Sequence, residues 1–354
     1  LLADPYKQLD IDFLKKQKNK SQVQKKNNSE KSDSKLPEYN ALVKNYQIIE
    51  GLFTFYWDKD QNKLLLSIAP SQLDAIYLTN YTRQSGDGFY YDSGSMLFEY
   101  PFIFKKVAGN IQLLHVNTKF RADSDKAISK AIKENLSHSI ISKSEILSQP
   151  HLDTGAILIN ANNFFIRDIG YMNGRRGYNF DKKNSYFLDI KSFKNNSEIE
   201  ISAHYKNTKW TSAYTLPNSR SMEIKYHVSL STLPDNDFIP RKADDRIGYF
   251  STIYQDYSSM LRDTPYIRYI NKWNLKKKNP GAYLSEPVKP IIYWIENTVP
   301  HEFRKAIRDG DLLTAKSYLG YDFYFESKVV RGHSIGSSID YPTANLQSSE
   351  KSKI

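Results

Sequence analysis

The stretch Met222–Ser231, MEIKYHVSLS, indicates the fold class of this 354-residue chain most clearly. Apolar and polar side chains alternate along it with a period of two, which is typical of a strand that buries one face and exposes the other. Such half-exposed strands belong to antiparallel sheets, because parallel sheets are usually covered on both faces. The stretch therefore predicts a half-exposed antiparallel strand.

Similar short apolar runs recur on the N-terminal side of this strand, separated by glycine- and proline-containing turns. They predict six further strands: Ala75–Thr79, Leu97–Lys105, Ile111–Asn117, Ala156–Asn160, Ser185–Ser192 and Glu198–Tyr205. Many short strands at frequent turns indicate a β-rich α+β chain with an antiparallel, sandwich-like body.

A polar turn follows the aromatic segment Tyr46–Asp58. Asp58, Asp60 and Asn62 alternate as in a calcium loop, but the glycine and the distal glutamate of such a loop are absent. We interpret the turn as a β-hairpin that leads into a second strand, Lys63–Ala69.

One helix is predicted near residues 123–136, with Asp123 or Ser124 as its N-cap. Its apolar stripe is narrow, which places it on the surface of the sheets as one of the one or two helices expected there. The stripe consists of Ala127, Ile128, Ala131, Ile132 and Leu136.

A further buried strand is predicted inside Pro265–Pro300, PYIRYINKWNLKKKNPGAYLSEPVKPIIYWIENTVP. The run Ile291–Ile295 is β-branched and aromatic, and Pro287 and Pro290 favour an extended approach to it. We expect the strand either to pair with the β body or to remain an exposed edge.

Composition excludes several classes of site. The chain has no cysteine, so disulfides, thiolate zinc sites and cysteine nucleophiles are ruled out. More than half of the net charge of +11 comes from Lys15–Lys35, where eight lysines face only Glu30 and Asp33. This low-complexity segment predicts a solvated linker rather than a nucleic-acid arm. No apolar run approaches the roughly 20 residues of a membrane span.

No catalytic motif emerges before residue 310. The seven histidines are dispersed, and no two have the i, i+4 spacing of metal ligands on a helix. A nucleophile elbow, a phosphate loop with lysine and a dinucleotide fingerprint are also missing. We therefore predict no catalytic and no zinc-binding residue in this part of the chain.

Several phrases resemble a family of large bacterial zinc-dependent metalloproteases, over about residues 40–307. The phrases are Glu50–Asp74 (EGLFTFYWDKDQNKLLLSIAPSQLD), Asn117–Asp125 (NTKFRADSD), Ile239–Phe250 (IPRKADDRIGYF), Tyr266–Pro280 (YIRYINKWNLKKKNP) and Leu284–Ile307 (LSEPVKPIIYWIENTVPHEFRKAI). In that family they belong to a non-catalytic N-terminal region and to the start of the protease domain. The resemblance implies export, to the periplasm or cell surface.

The zinc motif of that family, H-E-x-x-H, is absent from this sequence. Two histidines one helical turn apart and a glutamate to activate water are what the chemistry requires. Zinc is therefore expected only in the full-length protease family, and no cofactor is expected for the chain as it stands.

The tail Asp309–Leu346, DGDLLTAKSYLGYDFYFESKVVRGHSIGSSIDYPTANL, resembles the bifunctional riboflavin kinase/FAD synthetase of bacteria. Its first part resembles the helix that joins the two domains of that enzyme, and its second part the opening strands of the kinase barrel. The resemblance assigns nucleotide and Mg²⁺ contacts to Gly332, Gly336, Thr343 and Asn345. Backbone N–H groups at glycine turns and a hydroxyl/amide pair suit a Mg-nucleotide.

The kinase resemblance is incomplete. Residues 337–341 differ from the family pattern, and the later barrel strands, the glutamate base and the flavin pocket are not in this sequence. An incomplete β-barrel fragment with open edges is therefore expected at the C-terminus. We expect the two resemblances to join between Arg304 and Asp311.

The chain is thus divided into four segments: 1–39, a disordered lysine-, asparagine- and serine-rich segment; 40–262, a β-rich domain; 263–308, a connector with the first strand of a truncated protease domain; and 309–354, a truncated kinase-like segment. The leading hypothesis is a non-catalytic, truncated or fused chain that carries the N-terminal region of an exported metalloprotease-like protein.

Two alternatives stay open. The first is a cytoplasmic riboflavin kinase that uses Mg-ATP to phosphorylate riboflavin to FMN. The second is a β module that binds a peptide, a glycan or a protein partner. No nucleic-acid partner and no membrane span are expected under any of the three hypotheses.

Overall fold

A computed structural model describes residues 36–319 and 326–329, apart from 88, 90, 92–93, 210, 236, 260–263, 284, 290–291 and 296–298. The chain is mainly β, as predicted, with antiparallel sheets and few helices. Of the segment 1–39, which is predicted to be disordered, residues 1–35 lie outside the described residues, and Tyr39 is the first residue of a short helix.

The smaller sheet of the body has four antiparallel strands in the order β1-β2-β3-β9. They are β1 (Gln47–Ile49), β2 (Thr54–Asp58), β3 (Lys63–Ile68) and β9 (Ile157–Asn160). The predicted hairpin is confirmed, since β2 and β3 pair from Asp58↔Lys63 to Thr54↔Ser67. Its turn is closed by the backbone N–H of Gln61, which donates to Asp58 Oδ1 over 3.0 Å.

The larger sheet has eight antiparallel strands in the order β10-β12-β13-β4-β5-β6-β8, with β11 also paired to β12. Its strands are β4 (Tyr77–Arg83), β5 (Ser95–Val107), β6 (Asn110–His115), β8 (Ser139–Glu145), β10 (Tyr178–Phe180), β11 (Tyr186–Ser192), β12 (Asn196–Asn207) and β13 (Ser221–Thr232).

The strand predicted at Met222–Ser231 is β13, which lies near the middle of this sheet between β12 and β4. Its alternation holds up to Lys225, but Tyr226, His227 and Val228 are all buried. The prediction of a half-exposed strand is therefore wrong over this part of β13. A central strand can be covered on both faces, which alternation within the strand does not reveal.

The two sheets share one apolar core, so the body is the predicted sandwich. Alternate residues of β2 and β3 meet alternate residues of β4 and β5 across it. Phe53, at the bend before β2, packs edge-on against Tyr77 and Phe104, with ring centroids 4.9 and 5.5 Å apart. Aromatic side chains thus supply much of the contact between the sheets.

Short helices cover parts of this body. α1 (Tyr39–Val43) packs Tyr39 and Val43 against Leu65 and Leu158, on the outer side of the smaller sheet. α2 (Ala127–Asn135) lies on the surface, as predicted. α3 (Asn162–Phe165) contributes two buried phenylalanines to the core. Neither α1 nor α3 was predicted, because both are shorter than two helical turns and show no periodicity.

The N-cap of α2 is Lys126, so the prediction of Asp123 or Ser124 is wrong. The backbone N–H of Lys126 donates to the carbonyl oxygen of Asp123, which places a turn before the helix. The N–H of Asp123 donates to Ser258 Oγ over 2.8 Å. This contact ties Asp123 to the next sheet instead of the helix.

A third sheet contains β7 (Phe120–Arg121), β14 (Ser251–Asp256) and β15 (Tyr266–Ile270), in the order β15-β14-β7. The strand predicted inside Pro265–Pro300 is present as β16 (Ile292–Ile295). It pairs in parallel with β17 (Glu326–Val329), not with the β body. Between them α4 (His301–Leu319) runs through the expected join at residues 304–311 as one helix.

The predicted strands are present with ends that differ by at most four residues. The largest difference is at Ala75–Thr79, where the strand runs from Tyr77 to Arg83. A 3₁₀ turn at Pro70–Gln72 and a bridge between Leu73 and Phe104 occupy the preceding residues. No helix in the described part of the chain is long and apolar enough to cross a membrane.

Candidate functional site

Gly332, Gly336, Thr343 and Asn345, which the kinase resemblance assigns to Mg-nucleotide binding, lie outside the described residues. Within the residues that the structure describes, no group of three or more His, Asp or Glu is placed to hold a metal ion. Two of the polar clusters that the fold brings together are built on β12 and β13.

The outer face of these two strands, which we call the polar face, carries the side chains that point away from the core. Antiparallel register places Glu198 opposite Ser229, Glu200 opposite His227, Ser202 opposite Lys225 and His204 opposite Glu223. On the other face, Ile199, Ile201 and Ala203 are fully buried in the core. Strand geometry thus separates a polar row from an apolar row.

At the centre of the polar face, His227 Nε2 lies 2.9 Å from Glu198 Oε2. The second carboxylate oxygen, Oε1, accepts from Asn196 Nδ2 over 2.6 Å and from Ser229 Oγ over 2.9 Å. The His227 side chain is only 3 % exposed and that of Glu198 is 17 % exposed. The pair joins β12 to β13 and is withdrawn from solvent.

At the β10 edge of the same face, Asp181, His204 and Ser221 form a second constellation. His204 Nε2 lies 2.7 Å from Ser221 Oγ, and His204 Nδ1 lies 3.3 Å from Asp181 Oδ2. Ser221 is exposed, while the His204 side chain is 18 % exposed. An acid, a base and a hydroxyl in this order have the connectivity of a catalytic triad.

Other contacts engage the acid of this constellation. Asp181 Oδ2 is paired with the Lys206 ammonium and accepts from Asn184 Nδ2 over 2.6 Å, and Oδ1 accepts from the Lys183 N–H over 3.2 Å. The bonds from Lys206 and Asn184 hold the pKa of the Asp181 carboxyl below its usual range. The backbone of the hydroxyl residue is also engaged within the fold, since the Ser221 N–H donates to the carbonyl oxygen of Asn218. Lys206 thus neutralises the carboxylate that would stabilise a charged His204.

A third polar cluster lies inside the sandwich, around Asp168. Its Oδ1 accepts from the Met172 N–H over 2.9 Å and from the Tyr205 hydroxyl over 3.1 Å. Its Oδ2 accepts from the Asn173 N–H over 2.9 Å. The Tyr205 and Tyr226 hydroxyls are 3.2 Å apart. Asp168 therefore holds the loop after α3 against the tyrosines of β12 and β13.

The neighbouring Arg167 extends this cluster toward β4. Its Nη2 donates to the Tyr81 hydroxyl over 3.3 Å, and the Tyr100 hydroxyl also donates to that of Tyr81 over 3.3 Å. Burial raises the pKa of Tyr226 to about 12 and also raises the pKa of Tyr100 and Tyr205. These hydroxyls are therefore neutral hydrogen-bonding groups in the folded protein.

None of the three clusters was predicted. The two that contain histidine do not have the helical i, i+4 spacing, and the Asp168 cluster joins residues that are distant in the sequence. On strands the partner comes from a neighbouring strand, and Glu198 precedes His227 by 29 residues. The alternation of Met222–Ser231 did place His227 on the polar face of its strand. The register that brings Glu198 to it is a tertiary property.

The comparisons with known proteins identify the main body. A family model described as a domain of unknown function (DUF5117) matches residues 94–278. The match spans just over half of the 354 residues and extends from β5 to beyond β15. The chain belongs to the DUF5117 family. The polar face of β12 and β13 and Asp168 lie within the DUF5117 match, whereas Tyr81, which Arg167 contacts, precedes it.

A second family model, described as riboflavin kinase, matches residues 319–354. The similarity begins at the last residue of α4 and includes β17 and the four residues predicted to contact Mg-nucleotide. Neither the curated proteins nor the solved structures that were compared with this chain gave a match.

Proposed function

We propose that the DUF5117 body is the non-catalytic N-terminal region of an exported zinc-metalloprotease-like protein, and that it acts as a binding module. Two phrases that resemble that family, Ile239–Phe250 and Tyr266–Pro280, lie on and around β14 and β15. Both are near the C-terminal end of the DUF5117 match or extend just past it.

The main support for this proposal is that the carboxylates of Asp168 and Glu198 accept hydrogen bonds from groups of the body itself. Asp168 accepts two backbone N–H groups and a tyrosine hydroxyl. Glu198 Oε1 accepts from Asn196 and Ser229, and Glu198 Oε2 lies 2.9 Å from His227 Nε2. Asp168, with both of its oxygens hydrogen-bonded, stabilises the fold and has little capacity left to activate water. The enclosed acidic groups therefore support a structural scaffold for binding.

The experiment measures zinc content and peptide hydrolysis of the purified chain. We expect zinc well below one equivalent and no cleavage of a quenched fluorescent casein with or without added Zn²⁺. One tightly held zinc equivalent together with chelator-sensitive cleavage would contradict the proposal.

The Asp181–His204–Ser221 constellation permits a second, independent measurement. We expect a fluorophosphonate probe to leave Ser221 unlabelled, because Lys206 neutralises Asp181. Ser229→Ala is the matched control, since Ser229 donates to a carboxylate instead of facing a histidine. Labelling that Ser221→Ala removes and Ser229→Ala retains would overturn the non-catalytic assignment.

Riboflavin kinase is the second candidate function, and the similarity of residues 319–354 to that family favours it. Under this reading the chain is cytoplasmic, binds riboflavin and Mg-ATP, and transfers a phosphoryl group to the flavin ribityl hydroxyl. Gly332 and Gly336 would approach the phosphates, and Thr343 and Asn345 would contact Mg²⁺ and the phosphates.

Flavin fluorescence in the presence of Mg-ATP tests this second function. Micromolar quenching and chromatographic detection of FMN are its expected signs, and both are lost in Thr343→Ala and Asn345→Ala. Ser348→Ala, in the same matched segment, is the control that retains them. Absence of binding and of FMN in the unmodified chain rejects the kinase reading.

A further inference from the structure

At one end of the larger sheet, Asn207 forms hydrogen bonds with backbone groups of three basic residues, Arg176, Lys209 and Arg220. The Asn207 N–H donates to the carbonyl oxygen of Arg220 over 2.9 Å, and its Nδ2 donates to the carbonyl oxygen of Arg176 over 2.9 Å. Its Oδ1 accepts from the Lys209 N–H over 2.9 Å. One buried side chain thus fixes the loop before β10, the end of β12 and the start of β13 beside each other.

The cations on these loops point into solvent. We call this surface the cationic end. It consists of Arg175, Lys206, Lys209 and Arg220 on or next to these loops and of Lys183 on the turn after β10, and all five are exposed. Lys206 is paired with Asp181. The other four cations form no ion pair within the described residues.

The balance of charge at this end is strongly positive. Asp181 is neutralised by Lys206, and Glu223 accepts from Ser202 Oγ over 2.7 Å further along the polar face. Cations within about 10 Å of one another, the screening length at moderate salt, add their potentials and attract anions. Arg175, Lys209 and Arg220, on the loops that Asn207 fixes, thus form a preorganised positively charged surface.

An aromatic side chain accompanies these cations. Tyr214, on the loop between β12 and β13, is 90 % exposed. Single-stranded nucleic acids are usually held by several aromatic rings on which successive bases stack. Four exposed cations without an ion pair among the described residues complement a linear polyanion in charge.

We propose that the cationic end binds an acidic polysaccharide through its sulfate or carboxylate groups. The proposal rests on the proposed function, because an exported binding module meets such polymers outside the cell. Arginine donates to planar oxyanions in pairs of hydrogen bonds, and lysine contributes a point charge. Arg175 and Arg220 therefore supply the directional contacts, and Lys183 and Lys209 supply attraction.

The test compares two fourfold variants of the full chain with equal loss of charge. The first replaces the unpaired cations with glutamine: Arg175→Gln, Lys183→Gln, Lys209→Gln and Arg220→Gln. The control changes exposed lysines near the opposite edge of the same sheet and on α2: Lys105→Gln, Lys106→Gln, Lys133→Gln and Lys143→Gln. Both variants retain the eight lysines of residues 15–35. A difference in affinity between the two variants is therefore due to the cationic end.

Labelled heparin is the sulfate probe, polygalacturonate the carboxylate probe, and a single-stranded oligonucleotide the nucleic-acid probe. We expect the first variant to bind heparin or polygalacturonate at least about tenfold more weakly. The slope of log K against log salt concentration should become less steep by about one for each lost contact. The control variant retains affinity within about twofold. A comparison of the affinities for heparin and polygalacturonate shows whether the surface prefers sulfate or carboxylate groups.

Equal weakening of both variants would overturn the proposal, because it would show a net-charge effect. Failure of the unmodified chain to bind either polysaccharide would do the same. Tighter binding of the oligonucleotide through the same four cations would assign the surface to nucleic acid instead. Zinc-dependent peptidase activity would refute the proposed function separately and leave this comparison valid.

Discussion

Asp168 shows how one side chain fastens a loop to the core. Three donors reach it: the Met172 and Asn173 N–H groups and the buried Tyr205 hydroxyl. A donor left unsatisfied in a buried site costs free energy even when no contact area is lost. The stability of the loop after α3 therefore depends on this carboxylate.

Asp168→Ala is expected to lower the free energy of unfolding by about 1–3 kcal/mol, because buried donors lose their acceptor. Urea denaturation measures the change. Asp153→Ala is the matched control, since the Asp153 side chain is 89 % exposed, and it should change stability by less than about 0.5 kcal/mol. Equal stability of the two variants would contradict the role of Asp168.

At the scale of elements, the smaller sheet approaches β11 through a glycine. A Cβ on Gly51 would lie 2.4 Å from Ser192 Oγ and 2.6 Å from the backbone nitrogen of Phe193. The Leu52 N–H donates to the carbonyl oxygen of Phe193 at this approach, and Ser192 Oγ donates to the carbonyl oxygen of Phe53 over 2.7 Å. These contacts join the edges of the two sheets.

Gly51→Ala is expected to destabilise the protein by about 1–3 kcal/mol, because the added methyl group overlaps backbone atoms that cannot move independently. Thermal unfolding by circular dichroism measures this. Gly109→Ala provides the control, since a Cβ there meets nothing within 4 Å. If both substitutions lowered the melting temperature equally, the close approach at Gly51 would not be decisive.

At the scale of the whole molecule, the core contains several tyrosines whose hydroxyls are kept neutral. Burial raises the pKa of Tyr226 from 10.0 to about 12, and the pKa of Tyr39, Tyr77, Tyr100 and Tyr205 also rises through burial. A raised pKa means that folding favours the protonated form. The stability that the raised pKa of Tyr226 contributes is fully present below about pH 10, and it is lost as the pH rises toward about 12.

An alkaline titration of the 26 tyrosines should therefore show that the buried class ionises together with loss of the β-sheet circular dichroism signal. Tyr214→Phe, at a ring that is 90 % exposed, is the control and should leave the unfolding midpoint unchanged. Ionisation of every tyrosine in one step near pH 10, with the sheet signal intact, would refute the burial argument.

The join between the two resemblances is also a property of the whole chain. α4 continues from His301 to Leu319 without a break across residues 304–311. Cleavage after glutamate should release residues 303–326 as one peptide if the natural reading frame crosses this point. Mass spectrometry of the protein from its natural source, with resequencing of the gene, checks it. Separate peptides from two proteins would require the two parts to be interpreted independently.

The sequence alone determined the β class, the hairpin at residues 54–68 and most strands, because period-two alternation and turn residues are local signals. It did not reveal that His227 is buried beside Glu198, nor that Asn207 fixes three loops at one end of the sheet. Both depend on register between strands that are distant in the chain. Tertiary structure alone decided which polar residues meet, since a strand sets the face of each side chain but only pairing chooses its neighbour.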